Sequence, residues 1–381
     1  HTRYASSIGS ASNEMYALFL MRIYKELNGA ILGQFSKLKV VQAPNFQRFR
    51  EVFQAKLESL FLIPANTFDN VKGQFPIGFF VWNTGANDTF KQITANVYYN
   101  TKECIAVKEI IAPTERTQYI TSWLTGINGS APILGVLACT SNDFQNNRRV
   151  RIINQAGKSH HTFLPIVKEN LIRYAISFAV RLAIKHTWLN NQDQFFYPKK
   201  AWQQDHEFQN NCLVYTLFHT QNRISANEGT NHWIPFTEKE VNARLRYESH
   251  FMTDFIAGKL APKELRITNG ELRNKDRGTL GDLAEEKSFV PTEPLVFSPE
   301  AIAVFNAGRE LWRYYHAQPN ANPNASYYDI REYFQGKDET GKLNSKSKDA
   351  EFNRLLNNLK AAMEVLRLTI VPKVYEYRFL I

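Results

Sequence analysis

Two phenylalanines, Phe68 and Phe75, lie in a polar stretch between two short apolar runs, residues 60–63 and 77–82. Both runs are β-branched or aromatic and too brief for helices, so they read as buried strands. The loop between them carries Asn66, Asp69, Asn70 and Gly73, which tolerate tight turns, and Pro76, which stiffens entry into the second strand. An aromatic on such a loop is well placed to stack on a flat ligand. The competing reading is that both rings fold back onto the core.

Two further groups of residues have types suited to polyanion contact. Arg148, Arg149, Arg151 and Lys158 surround an expected strand and turn, interspersed with Asn and Gln, and suit phosphate and base-edge contacts. Lys199 and Lys200 stand beside Phe195, Phe196, Tyr197 and Trp202, a mixture that suits nucleic acid. A solvated strand face is the alternative for the first group and a packed Ω-like loop for the second. Metal chemistry finds less support. The pair His160-His161 has no acidic or cysteine ligand set at matching spacing. The run Asp205, His206 and Glu207 cannot all converge on one ion without an unusual backbone, because adjacent side chains point different ways. Cys104, Cys139 and Cys212 are far apart and form no Cys-x-x-Cys pair, which argues against structural zinc and a disulfide framework and fits a reducing cytoplasm.

These residues need a scaffold, and 381 residues suffice for two or three domains. The hydrophobic fraction of 44% gives no case for overall disorder. The net charge of +10 favours a polyanionic partner. No apolar run reaches membrane-spanning length; the longest, around 172–189, is broken by Arg173, Arg181 and Lys185. No signal peptide is evident. The chain begins with His1 and is expected to be a fragment or a trimmed product.

The pattern predicts a helix over 13–27, with Met15, Leu18, Phe19 and Ile23 at helical spacing, started by Ser12 or Asn13 and ended by Asn28-Gly29. A strand over 30–35 follows, then a second helix after Pro44 whose apolar stripe is Phe46, Phe49, Phe53 and Leu57. The two strands flanking Phe68 come next. A helical connection suits a parallel crossover and a short loop suits a hairpin, so a mostly parallel sheet with one antiparallel strand at its end is expected.

From Asn13 to Thr84 the chain resembles the later half of the catalytic domain of adenine-N6 DNA methyltransferases from bacterial restriction–modification systems. In that family a helix and strand follow an Asn-Pro-Pro-Tyr motif, and a second helix leads to a β-hairpin whose loop aromatic packs on the flipped adenine. The string NTFDN places Phe68 in that role, with Phe75 as the substitute. Later stretches, NNQDQFFYPKKAW, NHWIPF and SYYDIREYFQGKDETGKLN among them, are similar to the tail of large enzymes of this type. The resemblance implies double-stranded DNA as partner and S-adenosylmethionine as cofactor. Lys72, Arg148, Arg149, Arg151, Lys158, Lys199 and Lys200 are then the candidate DNA contacts. It also has a gap: there is no Asn-Pro-Pro-Tyr, the closest string being Asn322-Pro323-Asn324, and no early strand with a glycine-rich turn for the cofactor. The implied fold is α/β, the second half of a Rossmann-like methyltransferase sheet followed by a mixed, mainly helical DNA-recognition region. No catalytic, cofactor-binding or metal residue is assigned, and the fragment alone is expected to be inactive without its missing N-terminal half or a partner subunit.

The expected divisions are 1–100 for the sheet, 101–165 for a β-rich segment, 166–258 for a helical and aromatic region, 259–298 for a linker or excursion and 299–381 for a helical end. Within them strands are expected over 93–99 and 105–111, a buried run over 133–139 and a long helix over 166–188. Further helices are expected over 299–316, burying Ile302, Phe305 and Trp312, over a capping box of Ser326 and Asp329, and over 349–369, where Pro372 is expected to stop the helix before a last strand over 374–381. A non-catalytic DNA-recognition or specificity subunit is the alternative function. A nuclease is disfavoured because no Asp…Glu-x-Lys constellation is found.

Overall fold

The computed structural model describes residues 3–27, 29–100, 103–125, 132–139, 141–157, 162–260 and 289–381. The chain is mixed α/β and forms two hydrophobic cores. The first belongs to a five-stranded sheet. Helix α1 (Met15–Glu26) leads to β1 (Ile31–Lys37), and the six-residue helix α2 (Gln47–Val52) leads to β2 (Ala55–Pro64). Strands β3 (Pro76–Asn87), β4 (Gln92–Tyr98) and β5 (Cys104–Ile111) follow. Their order is β1-β3-β2-β4-β5. β3 is antiparallel to both β1 and β2, β2 and β4 are parallel, and β5 returns antiparallel on β4.

The expected sheet membership of β1, β2 and β3 holds, but the order differs from the expected one. The antiparallel strand β3 is interior, not terminal, and the parallel strands β1 and β2 are not neighbours. The β2–β3 hairpin leaves the far edge of β3 free, and β1 pairs there. Nothing in local pattern specifies which edge a returning strand takes.

Alternation along the strands gives the sheet two unlike faces. Leu60, Leu62, Phe80 and Trp82 point to the buried side, where they meet Phe49, Phe53, Leu20 and Met21. The α1 stripe therefore differs from expectation: Ala17, Leu18, Leu20 and Met21 are inside, whereas Met15 and Phe19 are more than half exposed. Its N-cap is Glu14, without a side-chain cap. Likewise Leu57 lies in β2 and not on a helix with Phe46, Phe49 and Phe53.

The second core is larger and encloses a three-stranded antiparallel sheet of β6 (Gly135–Cys139), β7 (Arg151–Ile153) and β8 (Thr162–Ile166), with β6 central. Around it pack α3 (Leu171–Ala183), α4 (His206–Phe218), α5 (Pro299–His316), α6 (Tyr327–Gln335) and α7 (Ala350–Glu376). α3 is shorter than the 166–188 expected: Ile166 ends β8, a turn in which the Val167 N–H donates to Asn170 Oδ1 precedes the helix, and the helix stops at Ala183. Ser326 and Asp329 form the expected capping box of α6. In α5 Phe305 and Trp312 are inside, but Ile302 is nearly half exposed. α7 runs through Pro372 to Glu376, so no last strand forms there. Ile370 and Val374, both fully buried, hold the helix across the missing proline N–H, a case of packing overriding propensity. Of the expected 259–298 excursion, 261–288 lie outside the described residues.

Candidate functional site

The Phe68 loop stands at the carboxyl ends of β1 and β2, which run in the same direction on either side of β3. Open α/β sheets commonly bind ligands beyond such ends. The loop is closed at its base, where the Ala65 N–H donates to the Phe75 carbonyl at 2.9 Å. Asn70 turns it with φ of 64°, a left-handed conformation that Asn tolerates.

The two aromatic candidates have different surroundings. Phe68 is 37% exposed and meets Phe35 of β1 edge to face, with centroids 5.3 Å apart. Phe75 is half-buried, and the Lys37 ammonium sits 5.2 Å from its ring centre. A Cβ on Gly73 would lie 2.2 Å from the Phe75 ring, so any larger residue there requires that ring to shift. Lys72 is exposed in the same loop. Lys37 is a site residue that sequence reasoning missed. The strand was expected to end at Phe35, two residues short of it, and only the β1–β3 register brings Lys37 to the loop.

Phe68 also belongs to a continuous aromatic surface. Phe35 packs on Phe79 at 4.7 Å, Phe79 stacks on Phe61 at 5.1 Å, and Phe61 meets Tyr98 at 5.8 Å. Four strands therefore contribute rings to the sheet face opposite the buried one. The Phe79 ring crosses Gly33, where an added Cβ would approach it to 2.9 Å. Phe35 is 48% and Ile31 64% exposed, and the outer edge of β1 pairs with no strand among the described residues.

Beside the loop a cleft of about 430 Å³ is lined by Lys37, Lys39, Gln42, Asn45, Ser141, Asn142, Asp143, Gln145, Gln192 and Gln194 among others. Its amides suit hydrogen bonding to a planar polar group. The Leu38 N–H donates to Gln192 Oε1 at 2.8 Å and fixes this wall against β1. Gln42 Oε1 and Ser141 Oγ are buried in the wall with no partner among the described residues. Lys39 is neutralised by Glu14 at 2.6 Å.

The arginine cluster lies on the helical body. Arg148 and Arg149 are exposed on a 3-10 turn, Phe144–Arg149, whose start is capped by Asp143. Arg151 opens β7, and the Ile152 N–H donates to the Gln221 carbonyl at 3.0 Å while the Arg223 N–H donates to the Ile152 carbonyl at 2.8 Å. This pairing adds Arg223, and Arg331 approaches from α6. The Arg223 pKa is lowered by burial first and then by repulsion from Arg151 and Arg331. Lys360 of α7 is lowered by burial and then by Arg331. Among the described residues no carboxylate lies within ion-pair distance of these six cations. The sequence offered no sign of this gathering, because the members come from positions over two hundred residues apart. Lys158 and His160-His161 lie outside the described residues.

The aromatic stretch after α3 divides in two. Phe195 and Trp202 are core, whereas Phe196 and Tyr197 are half-buried and Lys199 and Lys200 exposed. Asp205 has a structural role: it caps α4 by accepting from the Phe208 N–H at 2.9 Å and pairs with Lys373 at 3.0 Å. Among the described residues no His, Cys, Asp or Glu cluster is arranged for a metal, and no helix is long and apolar enough to cross a membrane. The chain matches no family model, no curated protein and no solved structure.

Proposed function

We propose that this chain is the DNA-facing part of an adenine-N6 DNA methyltransferase of restriction–modification type. Its sheet would be the second half of a Rossmann-like methyltransferase sheet, and the helical body its DNA-recognition region. The observation that carries the reading is the position of Phe68: partly exposed, on a loop at the carboxyl ends of two strands running the same way. A base extruded from duplex DNA needs a flat apolar face to replace its lost stacking, worth about 1–3 kcal/mol per base. The arginine cluster supplies the charge that would hold the phosphates.

S-adenosylmethionine is the methyl donor of this chemistry, but the described residues do not fit it. β1 is followed by a short helix, and no glycine occurs between Gly33 and Gly73 to form a turn that admits a cofactor backbone contact. A companion segment or subunit must therefore supply the donor site, and the unpaired β1 edge with its aromatic face suits such a companion. The same lack of fit favours a second reading, a non-catalytic DNA-recognition subunit. Incubation with labelled S-adenosylmethionine, duplex DNA and the companion separates the two, since only the first predicts that Phe68 governs methyl transfer.

The test of the stacking role places 2-aminopurine at the target position. Phe68→Ala is expected to lose roughly 1–3 kcal/mol of base-flipping stabilisation, Phe68→Trp much less. The loss shrinks when the base faces an abasic site. A lowered melting temperature with normal flipping overturns the assignment and moves the role to Phe75.

A further inference from the structure

A second cavity, of about 670 Å³, lies where the five-stranded sheet meets the helical body, between the start of β4, the end of β5 and the two segments that carry Lys199 and Arg378. The geometry points to this cavity as a binding site for a phosphorylated nucleotide unit, with its phosphate against Lys91, Lys199 and Arg378 and its base against Phe196 and Tyr197. The site stands whether or not the chain serves methyl transfer.

The walls are firmly built. The segment that carries Phe196, Tyr197 and Lys199 is hydrogen-bonded on both sides: the Tyr197 N–H donates to the Gln118 carbonyl at 2.7 Å, and the Phe196 and Lys199 N–H groups donate to the Phe379 and Tyr377 carbonyls, both at 2.9 Å. Phe196 is stacked on the buried Tyr119 at 6.1 Å, which fixes its ring. Among the described residues none of the three cations has an ion pair, and no Asp or Glu lines the cavity. Ile381, whose main-chain carboxylate is the one anionic group of the lining, offsets part of the charge of the three cations; the pocket stays net cationic, and with its aromatic walls it favours an anion that carries a planar group.

Arg378 adds an independent sign. It has φ of 59°, the only positive-φ residue among the described ones that is neither Gly nor Asn. It occupies the position after the α7 C-cap, where glycine normally ends a helix, with its N–H bonded to the Tyr375 carbonyl and the Phe379 N–H bonded to the Val374 carbonyl. An arginine in that conformation is disfavoured relative to glycine. Charge at the helix end is the ordinary reason to keep it, but Lys373 already occupies the last turn. Arg378 lines the cavity, and ligand binding accounts for a cation at a position where glycine is favoured.

The experiment uses the full chain, with ADP and a short single-stranded oligonucleotide as separate probes, titrated between about 50 and 200 mM salt. Arg378→Gly is expected to melt at the same or a higher temperature and to bind about tenfold more weakly. The Lys91→Ala/Lys199→Ala pair is expected to weaken binding and reduce the oligonucleotide's salt slope by about 0.7 per lysine. Loss with both probes assigns a free nucleotide site, and loss with the oligonucleotide alone assigns a site for a strand. The proposal is overturned if neither probe binds, or if all cavity variants bind as the parent does. It is also overturned if Arg378→Gly melts lower with unchanged affinity, since Arg378 is then only a helix stop.

Discussion

The two bodies of this chain handle their apolar surface in opposite ways. The helical body is closed: α3 and α4 are buried nearly all round, and its interior even takes in Arg181 and His316. The five-stranded sheet is half-covered, with one face packed on α1 and α2 and the other displaying Phe35, Phe61, Phe79 and Phe68. A covered face mainly provides stability, whereas a displayed aromatic face of this breadth is a candidate contact surface. In the proposed reading the closed body is a rigid mount that carries the arginine cluster, and the open sheet presents the aromatic surface beside the Phe68 loop.

The largest contrast is expected in core truncation. Phe178→Ala, at a fully buried position on α3, should cost about 3–5 kcal/mol in urea unfolding. If it melts like the parent, the helical body is not the closed core described.

The junction comes next in size. Lys108 of β5 holds Asp193 of the helical body at 2.6 Å, both nearly buried. Lys108→Met leaves that carboxyl without its counter-ion, at a cost of about 3 kcal/mol near neutral pH. Burial pushes the Asp193 carboxyl up to about 6, with Lys108 restraining the rise. Because its folded-state value lies above its unfolded one, its contribution to stability is present below about 3.8 and lost as pH rises through about 6. The cost of Lys108→Met should therefore shrink in acid. A cost that does not change between neutral and mildly acidic pH would show that the carboxyl stays ionised there.

The third effect is confined to the closed body. Burial lowers His316 to about 4, and His219 to about 4 through burial and then Arg331. A depressed folded-state value gives stability that is present above about 6.5 and lost as pH falls toward 4, about 2–3 kcal/mol for the buried His316. His316→Phe should flatten the acid limb of a melting-temperature profile; an unchanged limb places the titration elsewhere.

How legible these bodies were follows from the range of the interactions involved. The β2–β3 hairpin and its loop were readable because the turn residues and both strands lie within one continuous stretch, Ala55 to Asn87. The stripe of α7 was equally plain: Phe352, Leu355, Leu356, Leu359, Met363 and Leu366 are all buried. The insertion of β3 between β1 and β2 was not, since edge choice depends on partners remote in sequence. Met15 and Phe19 misled the reading of α1, because apolar residues also occur singly on exposed helix faces and residue type alone does not tell which face is buried. At the candidate site, Phe68, Phe75 and Lys72 share one loop, so their nearness was readable from sequence. Lys37, Arg223, Arg331, Lys91 and Arg378 were missed, because only tertiary pairing brings them to their neighbours.

The smallest effect tests the open face directly. Phe35 touches Phe79, Phe61 and Phe68, yet it remains 48% exposed on an edge strand. Half-burial of a phenylalanine is worth about 1 kcal/mol at 25 cal/mol per Å². Phe35→Ser should therefore shift the unfolding midpoint only slightly, while lowering the binding of a hydrophobic dye to the folded chain. The melting temperature of the parent should not depend on protein concentration if the face is open in the isolated chain. If Phe35→Ser costs as much as Phe178→Ala, and the parent's melting rises with concentration, a second copy covers the face. The contrast between a closed body and an open one would then describe only the single chain, and the displayed rings would belong to a dimer core.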